Sequence, residues 1–351
     1  MLGPNRAALS FRRLILFEFF ILLVASQVNL RAQDARPNVY PKALSDSSRR
    51  VVFDREAFFG ESTALPNWDN GYLVSREVET FQAGVPNVRL YDQSGKKARE
   101  AAIWFPGTLR VLIYSVAATS DGRIIAAGKA EKTDGTGAPF IALTDLAGKV
   151  TDVIQTMGFY PANICQAPDG TVWSFGGTGY DEHSHPKPGD TLRHFDFQKG
   201  QIGSYLARST FPEPLHPGPE IQASIRCSTS EVVAYSHSAQ AYIEVKYGDD
   251  APHVYHAEAP TNLRLAGFTA TGSKKVYGFF SRGGTGGLYY LSFDEANSTA
   301  NWLPVKSAVG AYTKPGVVMG LWGSDGDKLL VSRAEDTTGV SALYWTTPVI
   351  Q

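Results

Sequence analysis

The sequence is poor in the features that usually identify an activity. It has only two cysteines in 351 residues, which neither requires nor excludes an oxidising compartment. The patterns Gly-x-Ser-x-Gly, His-Glu-x-x-His and Cys-x-x-Cys are missing, so the chain lacks the common signatures of serine hydrolases, zinc peptidases and redox dithiols. A triad assembled from distant residues would escape this test. Helical periodicity is missing after the N-terminal segment, which argues against helical folds.

Neither sign of charge predominates. The chain carries 33 Lys and Arg against 34 Asp and Glu, and removal of residues 1–32 takes away four basic and one acidic residue, which leaves a net charge of −4. A protein that binds nucleic acid needs an excess of Lys and Arg to neutralise the phosphates. We therefore predict no nucleic-acid partner.

The N-terminal segment has the layout of an export signal. Three arginines within residues 1–13 precede the apolar run 14–25, which one glutamate interrupts. This run is shorter than the roughly 20 apolar residues that a helix needs to cross a bilayer. We therefore predict a signal peptide over residues 1–32, cleaved after residue 26 or 32, and a secreted or periplasmic protein. Retention of the segment as a membrane anchor is the alternative.

A strand-turn-strand pattern recurs five times between residues 117 and 333. Each copy is an apolar run, a turn and a second apolar run, and the best-formed copies are residues 116–128 and 163–176. Asp-Gly in these turns supplies the positive backbone angles of a tight hairpin. The pattern therefore predicts β-hairpins at regular spacing.

The repeats predict an all-β fold, a six-bladed β-propeller of four-stranded antiparallel blades. A second hairpin follows each first one, and four short strands in roughly 40 to 50 residues are typical of a propeller blade. The predicted first strands are residues 116–119, 163–167, 223–228, 265–270 and 318–323. Residues 72–104 supply a sixth blade. A pair of β-sandwiches would not repeat one pattern at similar spacing.

The start of the mature chain is expected to close the ring. Residues 50–59 form a spare strand that completes the last blade, and residues 33–49, rich in Pro, Ser and charge, form a flexible tether. The domain prediction is thus a single propeller over residues 50–351. Cys165 and Cys227 occupy equivalent places in two repeats, which usually lie further apart than the Cα separation of about 7 Å that a disulfide tolerates. We expect two buried free thiols.

Residues 161–173 carry a family resemblance. They place Pro161 before an apolar strand, the turn Asp169-Gly170 after it, and Trp173 in the next strand. This segment resembles the blade signature of the virginiamycin B lyase and NHL-repeat propellers, a grouping that is also similar to the gluconolactonase-like family. The other blades match loosely. The resemblance implies a six-bladed ring with ligands on one face, whereas fold alone does not imply function.

The loops predict which face binds. The turns between first and second strands and between third and fourth strands lie on one face, here called the short-turn face. The remaining loops lie on the opposite, long-loop face, where the long segments are residues 130–139, 177–191, 208–222, 281–287 and 306–316. Loops on a rigid β scaffold commonly carry function, so we expect the ligand there.

Imidazoles and carboxylates of the long-loop face are the candidate site residues. They are Asp181, Glu182, His183, His185, His216 and His237. Such groups would bind a divalent metal or supply a general base with a pKa near neutrality. The alternative is that polar loops contain exposed histidines by chance, because no fixed metal-ligand spacing is present.

Two hypotheses of function follow. The first is an exported binding or interaction module that holds a protein, peptide or glycan. The second is a metal-assisted enzyme, a lyase or lactone hydrolase as the family resemblance implies, centred on the histidines above. The lactonase version needs acidic and amide ligands near the central channel, where Asn163 is the only candidate that the pattern offers.

Overall fold

The computed structural model describes residues 41–45, 48–53, 66–179, 181–183, 187–209, 211, 223–249, 251–338 and 340–350. These residues form strands, turns and bends, which confirms the all-β class. No helix among them is long and apolar enough to span a membrane. Pro41–Gln351 is one compact unit. The predicted signal peptide and the first part of the predicted tether, residues 33–40, lie outside the described residues.

The described residues form 27 strands. The first eleven are β1 (Pro41–Leu44), β2 (Arg49–Val51), β3 (Asn67–Asp69), β4 (Tyr72–Arg76), β5 (Glu79–Thr80), β6 (Val88–Tyr91), β7 (Lys97–Ala101), β8 (Arg110–Ala118), β9 (Ile124–Glu131), β10 (Gly137–Thr144) and β11 (Val150–Gln155). The next eight are β12 (Tyr160–Gln166), β13 (Val172–Gly177), β14 (Asp190–Asp196), β15 (Gly200–Ala207), β16 (Ala223–Cys227), β17 (Glu231–Ser236), β18 (Ala241–Lys246) and β19 (His253–His256). The last eight are β20 (Arg264–Ala270), β21 (Val276–Arg282), β22 (Thr285–Asp294), β23 (Thr299–Ala311), β24 (Val318–Asp325), β25 (Lys328–Ala334), β26 (Ser341–Thr346) and β27 (Pro348–Ile350).

The strands pair with their neighbours in the chain. The sheet orders are β3-β4-β6-β7, β8-β9-β10-β11, β12-β13-β14-β15, β16-β17-β18-β19, β20-β21-β22-β23 and β24-β25-β26-β2. Short β5 adds to the free edge of β8. A single parallel pair, His256 with Thr299, joins β19 to β23, so two of the orders form one eight-stranded sheet. All other pairings are antiparallel among the strands described here.

The predicted Asp-Gly hairpins are present. β8 and β9 are joined through Gly122 and β12 and β13 through Gly170, with φ of +84° and +87°. In the second turn the carboxylate of Asp169 accepts a hydrogen bond from the Thr171 amide at 3.0 Å. Glycine tolerates this left-handed backbone, and the carboxylate satisfies an amide that the turn leaves unpaired.

Each sheet begins with a strand that contacts the first strand of a neighbouring sheet. We call these the inner strands: β3, β8, β12, β16, β20 and β24. β8 contacts β12, β12 contacts β16, and the series continues through β20 and β24 to β3. Apolar clusters fill the spaces between neighbouring sheets, as Trp173 and Ile225 do. The core is thus divided among the sheet interfaces, as stacked blades require.

Backbone approaches backbone where the inner strands meet. A Cβ added to Gly267 in β20 would lie 2.5 Å from the Leu321 carbonyl oxygen in β24. A Cβ added to Gly323 in β24 would lie 2.7 Å from the Trp68 carbonyl oxygen in β3. Real Cβ atoms do not tolerate such distances, so glycine is required at both crossings.

Both terminal segments pair with each other. β2 pairs with β26, and Trp68 packs edge to face against Trp345 with ring centroids 4.9 Å apart. β1 pairs with β27 in a separate two-stranded sheet. The structure therefore differs from the predicted tether, because Pro41–Leu44 is a strand held by hydrogen bonds. Of the predicted strand over residues 50–59, residues 54–59 lie outside the described part.

The expectation of two free thiols is wrong. Cys165 and Cys227 form a disulfide, with Cα atoms 5.5 Å apart. Cys165 lies in β12 and Cys227 in β16, and these inner strands are in direct contact. Equivalent points are far apart near the rim of neighbouring blades but close together on the inner strands. The prediction of free thiols took no account of this close approach of the inner strands.

We expect Gly323→Ala to lower the free energy of unfolding by at least about 2 kcal/mol. The added methyl group would clash with the Trp68 carbonyl oxygen, and alanine is strained at the positive φ of this position. Urea unfolding measures the change. Gly135→Ala is the matched control: Gly135 has φ of +80° with open space around its Cβ position, so it carries the strain alone. Equal losses in the two variants would contradict the close approach of β24 and β3.

The double variant Cys165→Ala/Cys227→Ala should lose about 2–4 kcal/mol of unfolding free energy, because the disulfide closes a loop of sequence separation 62. Urea unfolding of the variant and of the reduced wild-type protein should give the same loss. Free thiols in the purified wild-type protein, found by mass spectrometry after alkylation without reductant, would refute the pairing.

Candidate functional site

Three of the four described candidates of the long-loop face, Asp181, Glu182 and His183, are solvent-exposed. His183 Nε2 lies 3.6 Å from Glu182 Oε1, with the two side chains 72% and 86% exposed. The His183 amide donates to the Asp181 carboxylate at 2.9 Å, which is a local turn interaction. His185 and His216 lie outside the described residues. Asp181, Glu182 and His183 therefore form an exposed turn, and their role in ligand binding stays a prediction.

His237 is half-buried in the turn between β17 and β18. Its Nδ1 is buried and has no hydrogen-bond partner among the described residues. Burial lowers the pKa of His237, which favours the neutral imidazole. Within the described part of the chain, no group of three or more His, Cys, Asp or Glu side chains lies close enough to hold a metal.

Two of the expected long loops are shorter than predicted. β9 ends at Glu131 and β10 begins at Gly137, so only a turn of five residues remains of the expected loop 130–139. Only two residues separate β21 from β22 in segment 281–287. Less loop surface is therefore available on this face than the sequence suggested.

The space between the inner strands, here called the central channel, contains opposite charges on opposite sides. Asp69 ends β3, and Arg226 lies near the end of β16. In one direction β20 and β24 lie between β3 and β16, and in the other β12 and β8 do, with Asp69 hydrogen-bonded to Ala118 at the end of β8. The charge of Arg226 acts to lower the pKa of Asp69, and the charge of Asp69 acts to raise that of Arg226, in each case against the larger effect of burial.

Asp69 is held at the short-turn end of the channel. Its Oδ2 accepts a hydrogen bond from the Ala118 amide at 2.8 Å, and the neighbouring Asn70 donates to the Ala118 carbonyl at 2.7 Å. Burial raises the pKa of Asp69, against the opposing effects of Arg226 and of the Ala118 amide. A carboxylate in this position is therefore costly to ionise.

Arg226 keeps unused hydrogen-bonding capacity. Its Nη1 donates to the carbonyl of the preceding residue, Ile225, at 3.1 Å. Its Nε is buried without a hydrogen-bond partner among the described residues. Burial lowers the pKa of Arg226, and Asp69 partly offsets this effect. Both side chains are half-buried, and they do not join in an ion pair among the described residues.

Another half-buried arginine contacts the edge of β8. Arg76 ends β4, and its Nη1 donates to the Ile113 carbonyl at 2.5 Å. Burial lowers the pKa of Arg76 to about 10. Because Ile113 lies near the start of β8, Arg76 is at the long-loop end of these strands, away from Asp69 and Arg226.

A cavity of about 370 Å³ opens on the short-turn face. It lies between the turns at residues 70–72 and 92–94 and Ser120. The Asp92 carboxylate at its wall is held by the Ser94 hydroxyl and amide at 2.6 and 2.8 Å. These hydrogen bonds, the hydroxyl first, lower the pKa of Asp92. Asn70 also lines this cavity, and its side chain donates to the carbonyl of Ala118, the residue whose amide binds Asp69.

Another cluster of charge on the short-turn face is fully paired. Lys274 Nζ lies 2.7 Å from Glu244 and 3.3 Å from Glu295, and it donates to the Tyr255 hydroxyl at 2.6 Å. It also lies 4.0 Å from the centroid of the Tyr255 ring. Lys274 thus pairs with both carboxylates and connects neighbouring turns.

Asp69 and Arg226 were not predicted as site residues, because the long loops placed the expected site on the opposite face. One signal was available for Arg226, which is a charged residue inside the predicted first strand 223–228. Asn163, the expected channel residue, lies in inner strand β12 and is half-buried, and its carbonyl accepts a hydrogen bond from Ser174 at 3.1 Å.

Comparison with known proteins identifies the fold only. No protein-family model matches the chain, and no curated protein matches it. A member of the DUF4221 family from Bacteroides vulgatus is 9% identical with a TM-score of 0.50, covering 88% of this chain and 98% of its own. The β-propeller domain of the Trilobed protease from Pyrococcus furiosus is 11% identical with a TM-score of 0.43, covering 81% of each chain.

A gluconolactonase from Xanthomonas campestris is also similar. It is 11% identical with a TM-score of 0.41, covering 89% of this chain and 99% of its own. The resemblance to propeller folds that the sequence predicted is confirmed. At these identities the likeness concerns the arrangement of strands. The activities of these proteins do not follow for this chain.

Asp69→Asn is expected to stabilise the protein near neutral pH. Because the folded state raises the pKa of Asp69, its contribution to stability is complete below the unfolded pKa of about 3.9 and is lost as pH rises through the folded pKa. Asparagine stays neutral and can still accept from Ala118. Urea unfolding at pH 3, 5 and 7 should show the advantage of the variant growing with pH.

Asp134→Asn is the control with the opposite sign. Hydrogen bonds from the Thr136 side chain and amide lower the pKa of Asp134, so its contribution is present above the unfolded pKa and lost as pH falls. This variant should be less stable than wild type near neutral pH, with a difference that shrinks on acidification. The same pH trend in both variants would disprove the burial of a costly charge at Asp69.

Proposed function

We propose that this protein is an exported, six-bladed β-propeller that binds a small polar ligand at the short-turn end of its central channel. The sheet orders support six blades, with β2 from the N-terminal side as the outer strand of the last one. Contacts between the last and first sheets, such as Trp68 with Trp345, support a closed ring. Closure in this manner leaves no exposed sheet interface.

Export is supported by two independent features. The first is the charged and then apolar segment over residues 1–25. The second is the disulfide between Cys165 and Cys227, since disulfides persist in oxidising compartments and are rare in the cytosol. We propose a secreted or periplasmic location, with the N-terminal segment either cleaved or retained as an anchor.

The observation that carries the binding proposal is the pair of half-buried charges, Asp69 and Arg226, which lie at the short-turn ends of β3 and β16 and form no ion pair among the described residues. Removing a charge from water costs several kcal/mol unless partners replace the lost hydration. A ligand whose polar groups contact both side chains would supply those partners. Strongly perturbed ionisable groups in the centre of a fold favour a functional site over a purely structural role.

The metal-assisted alternative fits the channel poorly. A divalent cation prefers a set of carboxylate and amide oxygens. The charged group that acts on Asp69 is the guanidinium of Arg226, so the set of oxygen ligands that such a cation needs is missing among the described residues. We therefore derive no metal-dependent step. The version centred on His183 depends on His185 and His216, which lie outside the described residues.

A ligand screen tests the location of the site. Thermal shift with glycine, glutamate, citrate, glucose and N-acetylglucosamine should identify at least one stabilising compound, and calorimetry then gives its affinity. Ser120 is exposed at the cavity, so Ser120→Trp should obstruct the entrance without disturbing the core. We expect at least tenfold weaker binding in this variant.

His183→Ala is the matched control on the long-loop face, where the side chain is exposed and its loss should not unfold the protein. Its ligand affinity should equal that of wild type. Loss of binding in His183→Ala with retention in Ser120→Trp would move the site to the long-loop face. No stabilisation by any of the five compounds would argue against a small polar ligand and favour a macromolecular partner.

A further inference from the structure

Arg226 and Asp69 place a positive and a negative group at the same end of the inner strands, where each could bind one end of a dipolar ligand. Arg226 projects from β16 and Asp69 from β3, on opposite sides of the channel and both near the short-turn end of their strands. They interact electrostatically and form no direct hydrogen bond within the described structure. A polar group in the space between them would contact one side chain at each end.

The free hydrogen-bonding positions have defined chemistry. Arg226 uses Nη1 for the Ile225 carbonyl, while its buried Nε has no partner among the described residues. A guanidinium offers parallel N–H donors that match the two oxygens of a carboxylate. On the other side, Asp69 Oδ2 accepts from Ala118, and Oδ1 has no hydrogen bond to any described residue. That oxygen is suited to accept from an ammonium group.

Without a ligand, the separation of Asp69 from Arg226 is unfavourable. A direct ion pair between them would recover part of the free energy lost by desolvation, and replacement of a buried ion pair by apolar side chains is often neutral or stabilising. The protein has neither a direct ion pair nor apolar side chains at these two positions. The Ala118 backbone holds Asp69 at its place through the amide, and Asn70 holds the Ala118 carbonyl, so the carboxylate cannot relax toward Arg226 without breaking hydrogen bonds.

We propose that the central channel binds a small zwitterionic amino-carboxylate, whose carboxylate contacts Arg226 and whose ammonium group contacts Asp69. This inference rests on the proposed function, since it names the ligand class for the same site. A zwitterion satisfies both buried charges at once, whereas a simple anion leaves Asp69 without a partner and a simple cation leaves Arg226 without one. The fixed distance between the two side chains selects the distance between the charges of the ligand.

Calorimetry with a series of probes tests this directly. Glycine, β-alanine and γ-aminobutyrate differ only in the separation of their charges, and acetate and ethylammonium each carry one charge. We expect one member of the zwitterionic series to bind at least tenfold more tightly than the other two and than either single-charge probe. Arg226→Gln and Asp69→Asn should each weaken that probe at least about tenfold, because each leaves one buried charge without its partner.

Matched variants on the outer surface control for general electrostatics. Arg99, in the outer edge strand β7, and Glu258 are exposed, so Arg99→Gln and Glu258→Gln make the same changes of charge away from the channel and should leave the affinity unchanged. Because Arg226→Gln changes an inner strand, its urea unfolding transition is measured as well. Arg226→Lys, which retains the charge without the forked geometry, should bind the best probe with an affinity between those of wild type and Arg226→Gln.

Three results would overturn the inference. Acetate binding as tightly as the best zwitterion, with no effect of Asp69→Asn, would define an anion site. Equal binding of all three zwitterions would show that no fixed pair of anchors exists. Absence of binding by the whole series, with glucose or citrate still bound in a manner sensitive to Ser120→Trp, would reject the zwitterion while leaving the proposed short-turn site intact.

Discussion

The close packing of the inner strands is the constraint on which the rest of this structure depends. Gly267 and Gly323 let one backbone lie directly against the next, and the Cys165–Cys227 disulfide joins two of the strands covalently. Each sheet is small and buries its apolar faces only against neighbouring sheets. The positions of all sheets therefore follow from how their first strands meet, and any side chain directed inward is held by several sheets at once.

That rigidity explains how the channel keeps charges apart. Asp69 is anchored to the end of β8 through Ala118, and Arg226 belongs to a strand that the disulfide fixes to its neighbour. In a flexible loop, opposite charges would close into an ion pair or turn toward water. Here the scaffold resists both movements.

Local patterns predicted the hairpins, whereas contacts between distant residues were not predicted. The Asp-Gly turns at Gly122 and Gly170 determine their hairpins within a few residues, and the predicted first strand 163–167 overlaps β12 closely. The disulfide and the facing of Asp69 and Arg226 depend instead on convergence at the centre, which no local spacing encodes. The prediction of free thiols was wrong for this reason. The site on the long-loop face stays a prediction, and its His185 and His216 lie outside the described residues.

The pairing of β1 with β27 and of β2 with β26 sets an order of events for a newly made chain. Residues 41–51 are synthesised first among the described strands, yet their partners at residues 341–350 are synthesised last. The first sheet has no finished neighbour on one side until then, so the domain completes its fold only after nearly the whole chain has emerged. A polypeptide of this design therefore lacks the pairing of its terminal strands until the last of them has been synthesised.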